Sequence, residues 1–195
     1  MYVVIEGVDT CGKSTQIGLL REVYPQAVFT KEPGGTALGA KIRELVLTDS
    51  THGALDERAE ALLFLADRAQ HYTQLLQAHA TRLIISDRSL ISGIAYARHI
   101  PLAESIALNR FALRGLLPDL AIILELDESS LRARLGAKLH DNIERRGIGY
   151  LLEIQSRLML VAQELGVATL TLNAAQSRDA ISREIQSAID SKQAR

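Results

Sequence analysis

Residues Gly7-Val8-Asp9-Thr10-Cys11-Gly12-Lys13-Ser14-Thr15 fit the pattern GxxxxGK[ST] in full, directly after an apolar run and before a helical one. Glycines let such a loop curl until its N–H groups and the N-terminus of the next helix converge on one anion. Lys13 is then placed to reach the outer phosphate oxygens of a nucleoside triphosphate, and Ser14 to ligate Mg²⁺. A turn that only started a helix would need neither residue. Cys11 reads as a small loop residue rather than a nucleophile, because no histidine lies near it in sequence.

A phosphate loop alone admits switches, partition-type ATPases and kinases. No Asn-Lys-x-Asp string occurs, which disfavours a guanine-reading switch, and no second lysine sits early in the loop as in partition ATPases. Three further groups of residues are hard to explain as core alone: Lys31-Glu32-Pro33-Gly34-Gly35-Thr36 with Ile42-Arg43; Phe64 with Asp67-Arg68; and Asp87-Arg88-Ser89 with Ser92-Gly93 and Tyr96. Arginines suit the task of holding a second phosphate, since a guanidinium offers a bidentate fork with little hydration to lose. Arg43 on a solvated helix face, and Arg88 paired with Asp87, are the plainer alternatives. Phe64 and Arg68, four apart, share a helix face and can meet one ligand, although Phe64 also fits as one more core residue. Tyr96 also fits as an interfacial tyrosine, and Asp9 as a loop carboxylate bonded only to backbone.

These residues need a scaffold. Branched apolar runs at Tyr2–Glu6, Ala27–Thr30, Leu83–Ser86, Leu120–Leu126 and Val167–Leu172 predict strands buried on both faces. Helical spacing over Ile17–Val23, Ile42–Leu47, Leu55–Leu76, Ile106–Leu117, Leu151–Leu165 and Ala180–Ile189 predicts helices between them. That alternation implies an α/β fold: a parallel five-stranded sheet covered by helices on both faces, in three layers, with ligands at the carboxyl ends of the strands. The 195 residues show no repeat or linker, so one domain is expected over 1–195, with a short mobile lid at about 136–149.

In this order and at these spacings, the phosphate loop, the Glu-Pro-Gly-Gly string and the Asp-Arg-Ser segment resemble the thymidylate kinases, and the resemblance runs over nearly the whole chain. It implies a P-loop enzyme that phosphorylates deoxythymidine monophosphate (dTMP) from ATP and Mg²⁺. Gly7 to Thr15 match the donor-binding loop. Arg43 and Arg88 match the arginines that hold the acceptor phosphate, Phe64 the ring that stacks on thymine, and Arg68 the group that hydrogen-bonds its edge. Tyr96 matches the aromatic beneath the sugar that leaves no room for a 2′-hydroxyl, and Asp9 a carboxylate near the 3′-hydroxyl. Ser92 falls in the same acceptor segment. Asp87 can order Mg²⁺ through water or orient Arg88. A homodimer packed through helices is implied as well.

The resemblance loosens at the lid. Some members carry a catalytic arginine in the phosphate loop, where Thr10 stands here; others carry it in the lid, where Asn142 replaces the arginine of Asp-Arg-Ile-Glu. Arg145 or Arg146 is the expected substitute, with Arg132 and Arg134 upstream as further candidates. A net charge of −1 argues against nucleic acid or anionic membranes as partners, a single cysteine cannot form an internal disulfide, and the N-terminus lacks signal-peptide character. A cytoplasmic enzyme is expected. The five histidines show no metal-binding spacing and receive no role.

Overall fold

The computed structural model describes residues 1–47, 55–135 and 147–194. The strands are Tyr2–Glu6 (β1), Val28–Lys31 (β2), Ile84–Asp87 (β3), Leu120–Glu125 (β4) and Thr169–Asn173 (β5). The helices are Lys13–Val23 (α1), Ala37–Leu47 (α2), Glu57–His71 (α3), Leu90–Tyr96 (α4), Leu102–Ala112 (α5), Glu128–Leu135 (α6), Gly147–Glu164 (α7) and Arg178–Gln193 (α8). All strand pairs are parallel, in the order β2-β3-β1-β4-β5. The loops after β1, β2 and β3 therefore open at the same edge, with Ile5 level with Asp87.

Every residue of β1 and all of β4 but Glu125 is buried, as apolar strands covered on both faces must be. Helix α1 packs on β1, β3 and α8; α7 packs on β4 and α4, and α4 continues the layer to α5 and α3. The edge strands differ from expectation: β5 buries only Leu172 and β2 only Thr30, because an edge strand has one neighbour fewer.

Four further differences have local causes. The expected helix over Leu55–Leu76 begins after Asp56, whose carboxylate accepts from the N–H groups of Arg58 and Ala59 at 2.9 and 3.4 Å. It then widens after His71 into a π-helical turn, Tyr72–Leu76. Helix α4 was not foreseen because five of its seven residues are buried, which erases any amphipathic period. Helix α6 was missed for the opposite reason, since Leu131 is its one buried residue. Of the expected lid, 136–146 lie outside the described residues, and 147–149 form the first turn of α7.

Gln155 ties α7 to the end of β4. From α7 its buried amide accepts from Leu126 N and donates to Leu126 O, both at 2.9 Å, just where β4 gives way to α6. Gln155→Leu strands both backbone groups. It should lower unfolding free energy by about 2–4 kcal/mol in urea titration, since each unpaired buried group costs on the order of 1–3 kcal/mol.

Candidate active site

The phosphate loop is built by backbone strain and close packing. Gly7 has φ 145°, and a Cβ there would lie 2.6 Å from both Cys11 Sγ and Leu124 O. Thr10 takes the left-handed region at φ 68°. No side chain caps α1, whose first N–H groups are thus left for an anion. Lys13 is buried, and Nζ donates to the carbonyls of Gly7 and Val8 at 2.9 and 2.8 Å, with Asp9 at 3.9 Å. Burial, with Arg88 nearby, lowers its pKa. Burial raises the Cys11 thiol, in keeping with a loop residue that is no nucleophile. Ser14 and Thr15 are exposed in the first turn.

Arg88 stands across from this loop. It too is left-handed, at φ 69°, held by its N–H on Ile5 O at 3.0 Å and by Ser86 Oγ donating to its carbonyl at 2.7 Å. That backbone aims the guanidinium at Asp9 Oδ1, 2.7 Å from Nη2, and at Ser92 Oγ, 3.0 Å from Nη1, with the Tyr96 ring at 5.3 Å. The partner of Arg88 is thus Asp9 rather than Asp87. Burial would discharge Arg88, but Tyr96 and the carboxylates of Asp9, Glu6 and Asp87 outweigh it and raise its pKa. Burial first of all pushes the Tyr96 hydroxyl up to about 12, so it stays protonated.

Glu6 lies beneath, fully buried at the end of β1. It accepts from Ser89 Oγ at 2.6 Å and from Ser92 Oγ, and burial raises its pKa despite these bonds. Sequence reasoning passed over Glu6. Its signal was a carboxylate closing a strand that is otherwise wholly apolar.

Of the residues expected on the acceptor side, Arg43 and Arg68 contact the Glu-Pro-Gly-Gly turn. Arg43 Nη1 donates to Pro33 O at 3.0 Å, and the residue has no carboxylate partner among the described residues. Phe64 is half-buried and stands outside the core and the apolar residues packed on it, so the core reading does not describe it. Arg68 is 4 % exposed; its Nε donates to Glu32 Oε2 at 2.8 Å and Nη1 to Asn109 Oδ1. Glu32 is also bonded to His71 Nδ1 at 2.8 Å, and His71 Nε2 to Thr30 Oγ1 at 2.7 Å. Burial would raise the Glu32 carboxyl, yet Arg68 and the His71 bond prevail and hold it below the ordinary value. Gly35 is required because a Cβ would meet Thr30 Oγ1 at 2.6 Å and His71 at 2.8 Å. His71 and Asn109 were given no role from sequence, although Arg68 and His71 are three apart on one helix face.

Among the arginines weighed for the transferring phosphoryl group, Arg134 reaches the loop: Nη1 donates to Thr10 O at 3.0 Å and Nη2 to Ala174 O at 2.6 Å. Arg132 is exposed and pairs with Glu128 at 2.7 Å. Arg145, Arg146 and Asn142 lie outside the described residues. Among the described residues no cluster of three His, Cys, Asp or Glu side chains can hold a metal. A Mg²⁺ ion brought by a nucleotide fits better: Ser14 is exposed at the loop, and Asp87 Oδ1 is buried without a hydrogen-bond partner.

Residues 5–185 match the family model described as thymidylate kinase. The chain is 60% identical over 192 residues to a thymidylate kinase of Helicobacter hepaticus, covering 97% of this chain and 98% of that one. It is 52% identical over 187 residues to that of Wolinella succinogenes, covering 96% and 97%. In fold it is similar to the crystal structure of thymidylate kinase from Ehrlichia chaffeensis, with TM-score 0.75, 23% identity and coverage of 97% and 98%.

The left-handed backbone at position 88 separates stability from side-chain function. Arg88→Ala keeps the strain and loses the guanidinium, whereas Arg88→Gly loses both. The glycine variant should be about 1 kcal/mol more stable than the alanine variant in urea unfolding, and equally impaired in activity.

Proposed function

The chain belongs to the thymidylate kinase family, and on that footing we propose that it moves the γ-phosphoryl group of ATP, accompanied by Mg²⁺, onto dTMP in deoxythymidine nucleotide biosynthesis. The observation that supports this most is the Asp9–Arg88 pair, 2.7 Å long, which joins the donor loop to the acceptor side through one contact. In-line transfer needs two polyanions brought together, and two described cations support the reading: Lys13 within the loop and Arg88 just after β3.

In this reading the loop N–H groups and Lys13 hold the β- and γ-phosphates. Arg88 and Arg43 take the acceptor phosphate, Arg88 with its orientation set by Ser92. Phe64 stacks on thymine and Arg68 meets its edge. Tyr96, neutral at physiological pH, lies under the sugar, and Asp9 faces its 3′-hydroxyl side. Bound with the donor, Mg²⁺ would supply neutralising charge for its phosphates, and Ser14 and, through water, Asp87 would hold it. No covalent intermediate on the protein is needed. For the cationic cage we assign Arg134 to brace the phosphate loop at Thr10 and keep Arg145 and Arg146 as the arginines that meet the transferring group.

We further infer a homodimer. Leu62 on α3 is 62% exposed and Phe111 on α5 is 86% exposed, with Leu108 beside it on two helices that pack together. Large apolar side chains exposed on two packed helices call for a partner surface. No described helix is long and apolar enough to cross a membrane. We place the reaction in the cytoplasm, acting as a single domain on small substrates and without nucleic acid.

Turnover on a panel of nucleoside monophosphates with ATP–Mg²⁺ should be highest with dTMP, and Lys13→Ala should abolish it. Phe64→Ala should raise KM for dTMP about tenfold with little change in kcat, the sign of lost ground-state binding. No diphosphate product with any monophosphate would overturn the kinase reading. Phe111→Glu should halve the mass found by light scattering, and an unchanged mass would exclude this face of α5 as the interface.

A further inference from the structure

Arg68 is more tightly held than a ligand-binding arginine requires. Its Nε is fixed by Glu32 and its Nη1 by Asn109, while Nη2 has no acceptor among the described residues. Each of those partners is itself fixed. Asn109 Nδ2 donates to Ser105 O at 2.8 Å, which commits its amide oxygen to Arg68. Glu32 is oriented from its other oxygen by His71, fully buried, and His71 by Thr30. Buried polar groups that are all satisfied rigidify one arrangement, because any shift would leave an unpaired group.

Gly93 closes the arrangement. It lies inside α4, where glycine is ordinarily less favourable than alanine. A Cβ there would stand 2.5 Å from Arg68 Nη2, 2.9 Å from Nη1 and 3.0 Å from Cζ. The guanidinium therefore brings its Nη1–Nη2 edge up to the helix backbone, in a place only glycine leaves open.

We propose that Gly93, Asn109 and the buried Thr30–His71–Glu32 chain are positioning residues that set the plane of the Arg68 guanidinium, and so the choice of acceptor base. This rests on the reading above in which Arg68 meets the thymine edge. A thymine offers carbonyl acceptors where a cytosine offers an amino donor, so an arginine whose free edge cannot swing away discriminates between them. The same guanidinium loosely held would bind both more equally.

The test compares Arg68→Ala, Gly93→Ala and Asn109→Leu singly, and the latter two also combined with Arg68→Ala, by steady-state kinetics on dTMP and deoxycytidine monophosphate. Each single variant should raise KM for dTMP about tenfold and lower the dTMP preference, with KM for ATP unchanged. In the Arg68→Ala background, Gly93→Ala and Asn109→Leu should add nothing further. Gly93→Ala should unfold at a lower temperature, because displacing Arg68 unpairs buried groups, so the reading rests on KM and on the ratio of dTMP to deoxycytidine monophosphate turnover, neither of which a smaller folded fraction changes. If Arg68→Ala leaves dTMP kinetics intact, the base contact fails and the positioning role with it. If Arg68→Ala is impaired while Gly93→Ala keeps the KM and the preference of the unaltered chain, the base contact stands and the positioning role is overturned.

Discussion

The fold's central constraint is a carboxylate buried where the first strand ends. Glu6 has no exposure, and its pKa is raised by burial even with two serine hydroxyls bonded to it. An ionised carboxylate in such a place needs its hydrogen bonds and a cation close by. Ser89 and Ser92 supply the bonds, and both belong to the turn and first residues of α4. Their engagement fixes the start of that helix, and Ser89 also caps it by accepting from Ile91 N at 3.1 Å. Arg88 is the nearby cation. It is bent into the left-handed region so that its guanidinium lies between Ser92 and Asp9 rather than pointing into solvent.

From that constraint the two sides of the site follow. Asp9 belongs to the phosphate loop after β1 and Arg88 follows β3, so the pairing of β1 with β3 brings these two residues together. A non-glycine residue in the left-handed region costs on the order of 1–2 kcal/mol, and it persists at Arg88 because hydrogen bonds to Ile5 and from Ser86 hold both its backbone groups. A second buried network, through Glu32 and His71, holds Arg68 in the same way. In both, a buried carboxylate fixes the orientation of an arginine.

Much of this was legible in the sequence where a residue type allows one chemistry. The phosphate loop needed no structure, since Lys13 and Ser14 have no purpose in a plain turn. Sheet composition was legible because branched runs such as Tyr2–Glu6 fit little else. Partners were not. The plainer alternative for Arg88, a pair with Asp87, rests on adjacency alone, yet the left-handed turn swings the side chain to Asp9, 79 residues away. Glu6, His71 and Asn109 escaped notice because their meaning lies in contacts made across the fold: Asn109 meets Arg68 over 41 residues of chain. The short helix α4 was invisible because burial on all sides removes the period by which helices are recognised.

The proposed place of Arg88 between the donor loop and the acceptor phosphate is best tested by calorimetric binding of dTMP and of thymidine, which lacks the phosphate. The unaltered chain should bind dTMP at least about tenfold more tightly than thymidine, as a charge-assisted phosphate contact implies, and Arg88→Ala should erase most of that gap while leaving thymidine affinity unchanged. A gap that survives in Arg88→Ala would show that the acceptor phosphate is held elsewhere.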